Sequence, residues 1–453
     1  MSVLGGGFDS GAGDKGLKLS LIETLKRAWA DPDLRSRILF VLGMFAVYVL
    51  GVHVPVPIPG MNSDKIAELL ANNPFFGMMD VFGGGALRRV SVFALGLNPY
   101  ITASIIMQIL TTAFPQWKKE MQEGGEYARR QQNKRTRLFT LVLCVGQGLG
   151  FIQIMAQSGI IFTPFIKFTT LLFWTAGAMF VLWLGEQISE RGIGNGVSLM
   201  IFAGIVISMP NQIQIIGRQI MVDHVMSWWQ AGVLIALFLG TTWFIVMFTS
   251  AQRRLPIQHM RRQVGTKVMG GQTSYLPIPV NTAGVIPIIF AVSLVFLPMQ
   301  FQQWFPVNSS PHYYLGKLAD YMNPGSPWPE GLVGMLAYTV LIFFFTYFYT
   351  AIQYNVEDLS NNLKKHGSFI PGVRPGKQTK DFLDAVISKI TVAGALFLTI
   401  IALMQYITPA LAQMNSANAA RLIGGTSLLI MVSVALETMR QIEANILMRQ
   451  YGS

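Results

Sequence analysis

The chain has 453 residues, of which 52% are hydrophobic and only 12% charged, about half the charged share of an ordinary soluble domain. That balance excludes a large soluble enzyme and points to a polytopic membrane protein with little material left for a separate soluble domain. Cys144 is the single cysteine, so no disulfide framework is possible, and the net charge of +12 needs its placement along the chain before it means anything.

In chain order, a Gly-rich tail comes first, with no short apolar core followed by a small-residue cleavage site, so a signal peptide is not expected. Leu21, Ile22, Leu25, Ala28 and Trp29 then repeat at helical spacing beside Lys26 and Arg27, which predicts an interfacial helix within a cytoplasmic segment 1–37. Ten apolar segments follow that qualify as spans: 38–54, 91–113, 138–157, 168–188, 193–209, 230–250, 282–300, 331–353, 386–407 and 422–439. With the amino terminus inside, most of the 34 Lys and Arg fall on that same side. Excess Lys and Arg stays cytoplasmic, so both termini are expected there and the positive charge is chiefly a topology signal.

Between the first two spans lies an unusual stretch. A ten-residue apolar piece, 73–82, is too short to cross a bilayer, and Gly83, Gly84 and Gly85 separate it from the uncharged run Ser91 to Ala113. Asn73 and Pro74 suit the start of a short helix. The bland reading is a re-entrant turn packed against a neighbour; the sharper one is a movable stopper on a glycine hinge beside a pore wall. On the following helix Leu97 and Ile101 share a face that continues through Ser104 and Gln108, changing from apolar to polar.

No Asp, Glu, Lys or Arg lies well inside any of the ten segments, which argues against an ion-coupled transporter. The five histidines are scattered without metal-ligand spacing, and no nucleophile or phosphate-loop pattern occurs, so no catalytic, cofactor or metal site is expected. Two long basic loops remain. Residues 251–281 carry Arg253, Arg254, Arg261, Arg262 and Lys267 with no acidic residue, and 354–385 contain FIPGVRPGK, in which two Pro-Gly pairs bracket Arg374. A stiff turn that projects one arginine suits a docking surface for an acidic partner better than a generic solvated loop.

The stretches GGALRRVSVFALGLNPYITASIIMQIL, WLGEQISERGIGNGVSLMIFAGIV, VNTAGVIPIIFA, FIPGVRPG and GGTSLLI, in this order, resemble the SecY family, the central channel subunit of the bacterial Sec translocase. The resemblance implies an all-α fold of ten transmembrane helices in two pseudo-symmetric five-helix halves, 38–229 and 230–453, around a central pore. It implies a pore ring of Leu97, Ile101, Val197, Ile201, Ile289 and Ile430, and a plug over 73–82 with Phe75, Phe76, Met78, Met79 and Phe82. It further implies SecE and SecG as membrane partners, and the SecA motor ATPase or a ribosome at the cytoplasmic loops, with Arg374 used by that partner. Secretory and membrane proteins would be the substrates, passing through or leaving sideways into the lipid bilayer. Leu97 and Val197 stand where isoleucine is common, which keeps the ring apolar, and Pro279 replaces a frequent lysine. Read from the residues alone, a small-solute transporter or a membrane-embedded scaffold stays open beside the channel.

Overall fold

The computed structural model describes residues 21–58, 66, 74–157, 160–222, 224, 226–259, 262–264, 267–269, 273–306, 309–326, 329–411 and 425–452. Helices dominate, and their starts follow local rules. The amphipathic α1 (Leu21–Ala30) ends where Asp31 caps α2 (Pro32–Val52), accepting from the Asp33 amide at 3.0 Å with Pro32 in the first turn. Short α3 (Pro74–Phe82) is followed by turns, then α4 (Asn98–Ala113), α5 (Pro115–Glu123) and the long α6 (Gly125–Gln157). Thr163 caps α7 (Pro164–Arg191), Asn195 caps α8 (Gly196–Met221), and a reciprocal Ser227–Gln230 capping box opens α9 (Trp228–Ser250).

The remaining helices are α10 (Ile286–Gln302), α11 (Ser310–Met322), α12 (Glu330–Gln353), α13 (Val356–Lys365), α14 (Lys377–Leu411) and α15 (Thr426–Gly452). Seven helices among the described residues are long and apolar enough to cross a membrane unaided. The other three predicted spans are met by α4, α10 and α15. Here two of the expected boundaries are corrected. Segment 91–113 is not one helix: only 98–113 is helical, and 83–97 is a chain of turns with Val90 and Gly96 at positive φ. Likewise 282–285 is turn, and α10 starts at Ile286. In both cases a glycine at positive φ (Gly96, Gly284) lies two residues before the helix and a proline (Pro99, Pro287) occupies its second position, so the helix is set to begin there. At 16 and 17 residues these helices are about 24–26 Å long, short of the roughly 30 Å hydrocarbon core. A non-helical backbone at depth is tolerated only inside protein, and the turn residues 83–87 and 93–97 are buried.

One apolar core runs through the spanning helices. α4 packs on α6 and α10, α7 on α2 and α8, and α15 on both α8 and α9. The backbone of 90–92 is pinned beside 54–56 by Val56 N–H to Val90 O (2.9 Å) and Val92 N–H to Val54 O (3.0 Å). A second, smaller core gathers at the pole that carries the long basic loops. β1 (Gln252–His259) pairs antiparallel with β4 (Thr273–Pro279), while β2 (Arg262–Val264) and β3 (Lys267–Met269) form a separate two-stranded ribbon. β1 also pairs with β5 (Ser368–Phe369), matching Gln258 with Phe369. The two loops, about a hundred residues apart in sequence, therefore share one sheet, packed by Leu255, Ile257, Ile278, Leu363, Ile370, Leu383 and Ile387. These strands, absent from the all-α expectation, are a local addition to a helical protein.

Candidate functional site

Four helices bring the predicted ring residues into the main apolar core. Leu97 precedes α4 and its carbonyl accepts the Ile101 amide at 3.0 Å, so the turn chain hands both side chains to the first turn of that helix. Val197 and Ile201 lie in the first turns of α8, Ile289 in the first turn of α10 and Ile430 in the second turn of α15. Leu97, Ile101, Ile201 and Ile430 are buried, and Val197 and Ile289 are partly buried against them, all within one contiguous cluster. The polar end predicted for α4 is present too: Gln108 donates to Ser104 Oγ at 3.4 Å.

The short helix α3 belongs to the same cluster. Phe76 and Met79 are buried, Met78 and Phe82 partly buried, and the side chain of Phe75 lies outside the described residues. Phe76 packs on Phe151 of α6 with ring centroids 5.2 Å apart, and Phe151 in turn on Trp174 of α7. The end of α3 meets α8 at Gly204. A Cβ built on Gly204 would overlap the carbonyl oxygen of Phe82 and lie 3.3 Å from the Gly84 nitrogen. Gly204 is three residues beyond Ile201, so the end of α3 lies roughly 5 Å along α8 from that ring residue. Gly84 lies opposite Gly204 with room for ordinary contact, and it is its φ of +71° that favours glycine there.

Gly83, Gly84 and Gly85 form a closed turn. Their amides donate to Met79 O, Val81 O and Asp80 O at 2.8, 3.2 and 2.7 Å. Asp80, hidden in the apolar piece, is the only charged residue among the buried ones described. Its Oδ1 accepts the Arg88 amide at 2.8 Å, and its Oδ2 accepts Arg88 Nε at 3.1 Å and Nη2 at 2.6 Å.

Across the core, Gln147 of α6 donates to Gln300 Oε1 of α10 at 2.8 Å, both side chains buried. Gly146 and Gly150 of α6 face Trp304 and Gln303, at or just past the end of α10, closely enough that a Cβ on either would collide. Phe76 and Met79 border the small cleft that Gln147, Gln300 and Gln303 line, so α3 abuts this seam. Sequence reasoning passed over Asp80, Arg88, Gly204 and the Gln147–Gln300 pair. Asp80 was the one legible signal, a carboxylate inside an otherwise apolar segment.

Arg253 and Arg254 are exposed on β1, and Arg374 is exposed in the turn after β5. Arg261 lies outside the described residues, and of Arg262 only the backbone, in β2, is described. The Arg374 turn is held from both sides: Thr379 Oγ1 donates to Arg374 O at 2.9 Å and Ser360 Oγ to Gly376 O at 3.0 Å. Gly372 and Gly376 take φ of +83° and +105°, conformations the two Pro-Gly pairs supply. Shared sheet β4–β1–β5 thus places both arginine groups on one small unit.

The expected apolar ring would resist wetting, which gives a test. Ile430 is 1% exposed, so Ile430→Asn buries an amide in place of apolar surface. An unpartnered buried amide costs roughly 1–3 kcal/mol, and a wetted constriction relieves that cost. Resting ion conductance in planar bilayers is expected to rise, and more for Ile430→Asn than for Ile289→Asn, whose parent side chain is already partly exposed. Equal, wild-type conductance in both variants contradicts the apolar seal.

Comparisons with known proteins identify the family and the fold. A family model described as SecY matches residues 91–439. The protein translocase subunit SecY of Pseudomonas aeruginosa is 39% identical over 429 residues, covering 93% of both chains. Among solved structures, a SecY described by its plug domain, which stabilises the closed state of the translocation channel and maintains a membrane seal, matches with a TM-score of 0.64. It is 19% identical, and the match covers 89% of this chain and 91% of that one. Sec61 in the canine ribosome-channel complex from the endoplasmic reticulum matches over the same shares with a TM-score of 0.59 and 17% identity. Those structural likenesses establish the shared fold, and the sequence matches over nearly the full length establish that the chain belongs to the SecY family.

Proposed function

We propose that the chain is a passive protein-conducting channel of a bacterial cytoplasmic membrane. It passes unfolded secretory polypeptides and releases membrane segments sideways into the lipid bilayer. The observation that carries this reading is the single apolar cluster in which ring residues from four helices meet the short helix α3. An apolar waist excludes ions by dewetting yet yields to a polypeptide, and α3 serves as the plug that fills it at rest. Leu97, Ile101, Val197, Ile201, Ile289 and Ile430 form the ring, and Gly83 to Gly85 form the turn on which the plug is carried. Halves 38–229 and 230–453 part along the seam where Gln147 meets Gln300.

In this reading both termini are cytoplasmic, because the basic loops are. SecE and SecG complete the membrane complex, and energy comes from the SecA motor ATPase or from a translating ribosome. These partners dock on the β4–β1–β5 unit through Arg253, Arg254 and Arg374, joined by Arg261 and Arg262 from the same basic loop. The resemblance to a Sec61 solved in a ribosome-channel complex supports that placement.

The test is reconstitution of the chain with its membrane partners in proteoliposomes, supplied with motor ATPase, ATP and an unfolded secretory precursor. Protease-protected precursor is expected, dependent on ATP. Protection no greater than in empty vesicles, or uptake of a small solute in its place, overturns the reading.

A further inference from the structure

We propose that Asp80 and Arg88 form a clamp that seats the plug, a positioning pair whose role rests on the reading of α3 as the plug. The pair closes an eight-residue loop, and Gly83, Gly84 and Gly85 lie inside it. All three of its hydrogen bonds run from Arg88 to one carboxylate, two from the guanidinium fork and one from the backbone. Gly85 adds a fourth tie to the Asp80 carbonyl. With these in place the glycines cannot swing freely, and α3 together with 83–88 behaves as one body. Beyond it the chain is pinned again, by the bonds between 90–92 and 54–56. Between the two, Arg89 and Val90 donate to Gly85 O and Leu87 O at 3.3 and 3.0 Å, and Val90 takes φ +47°, so unseating the plug has to break this turn as well.

The two partners differ in burial, and that difference gives the clamp its sign. The Asp80 side chain is 3% exposed and that of Arg88 30%. Removing the guanidinium leaves the buried carboxylate with the residue-88 backbone N–H but no charge partner, and it regains full hydration only when the plug leaves. Removing the aspartate charge leaves an amide whose oxygen still accepts the Arg88 N–H, while the guanidinium turns to solvent. Arg88→Gln should therefore unseat the plug strongly and Asp80→Asn weakly. The double variant should leak less than Arg88→Gln alone, because no buried charge remains unpaired.

Resting ion leak from proteoliposomes, per folded channel, reads this out. Arg88→Gln is expected to raise it roughly tenfold, a figure held down by the partial exposure of the arginine, with the double variant close to Asp80→Asn. A chain lacking 74–82 sets the leak of an empty seat. Spin labels at Met78 and Ile213 in a Cys144→Ser background report plug position directly, and broadened distances are expected only for Arg88→Gln. Thermal unfolding in detergent separates a misfolded channel, which lowers recovery without shifting the label distances of the folded fraction. A leak from the deletion with none from Arg88→Gln, or a double variant as leaky as Arg88→Gln, overturns the clamp and leaves the plug standing. A deletion that does not leak overturns both.

Discussion

With α3 as the proposed plug, Gly204→Val should unseat it and raise resting conductance. The valine Cβ would overlap the Phe82 carbonyl oxygen, and backbone cannot step aside as a flexible side chain does. Overpacking of this kind costs typically 1–3 kcal/mol, or about 5- to 150-fold in the balance between seated and unseated plug. α8 is braced by α7, α15 and α2, so the strain is relieved by movement of the short α3 and its turn. Gly217, with open space around its Cβ position, is the control: Gly217→Val on the same helix should leave conductance near wild type. The measurement is single-channel current in planar bilayers without precursor. Equal currents for the two valine variants would show that the Gly204 contact does not hold the plug.

Arg374→Lys should lower precursor translocation by at least roughly tenfold while the channel folds and seals normally, as for loss of a central interface residue. The reason is geometric. The turn carrying Arg374 is fixed by the Thr379 and Ser360 hydrogen bonds and by two glycines at positive φ, so the guanidinium is presented from a rigid base. An ammonium keeps the charge but not the planar fork of donors. Lys364→Gln, which removes an exposed charge from α13, should change the rate less than twofold, as surface charges usually do. Initial rates of ATP-driven precursor uptake decide this, and equal rates for Arg374→Lys and wild type would remove Arg374 from the docking surface.

Much of this protein was legible before any coordinates. Apolar segments long enough to cross a bilayer report their surroundings through composition, so the spans follow from local counting, as does the amphipathic helix ahead of them. The proposed ring positions come from the family motifs LNPYI, GNGVSLMI, IPIIF and TSLLI, and the structure adds that their side chains lie in one apolar cluster. Windowed hydropathy is blind to backbone conformation, however. The run 91–113 is uniformly uncharged, yet its first part is turns, because buried protein rather than lipid surrounds 93–97 and Pro99 sets the helix start.

What the sequence by itself determined is where the chain is apolar, which helices cross and which loops are basic, since these are properties of single segments. Only the tertiary structure decided what meets what. The strand pair Gln258–Phe369 merges two distant basic loops into one unit, and Gln147–Gln300 bridges α6 and α10. Gly204 reads in isolation as a helix-weakening residue, and its purpose is visible only when the Phe82 carbonyl lies against it. Asp80 reads as a flaw in an apolar segment until Arg88 folds back over three glycines to meet it. Such contacts depend on how helices pack, and packing is set jointly by residues that no local window contains.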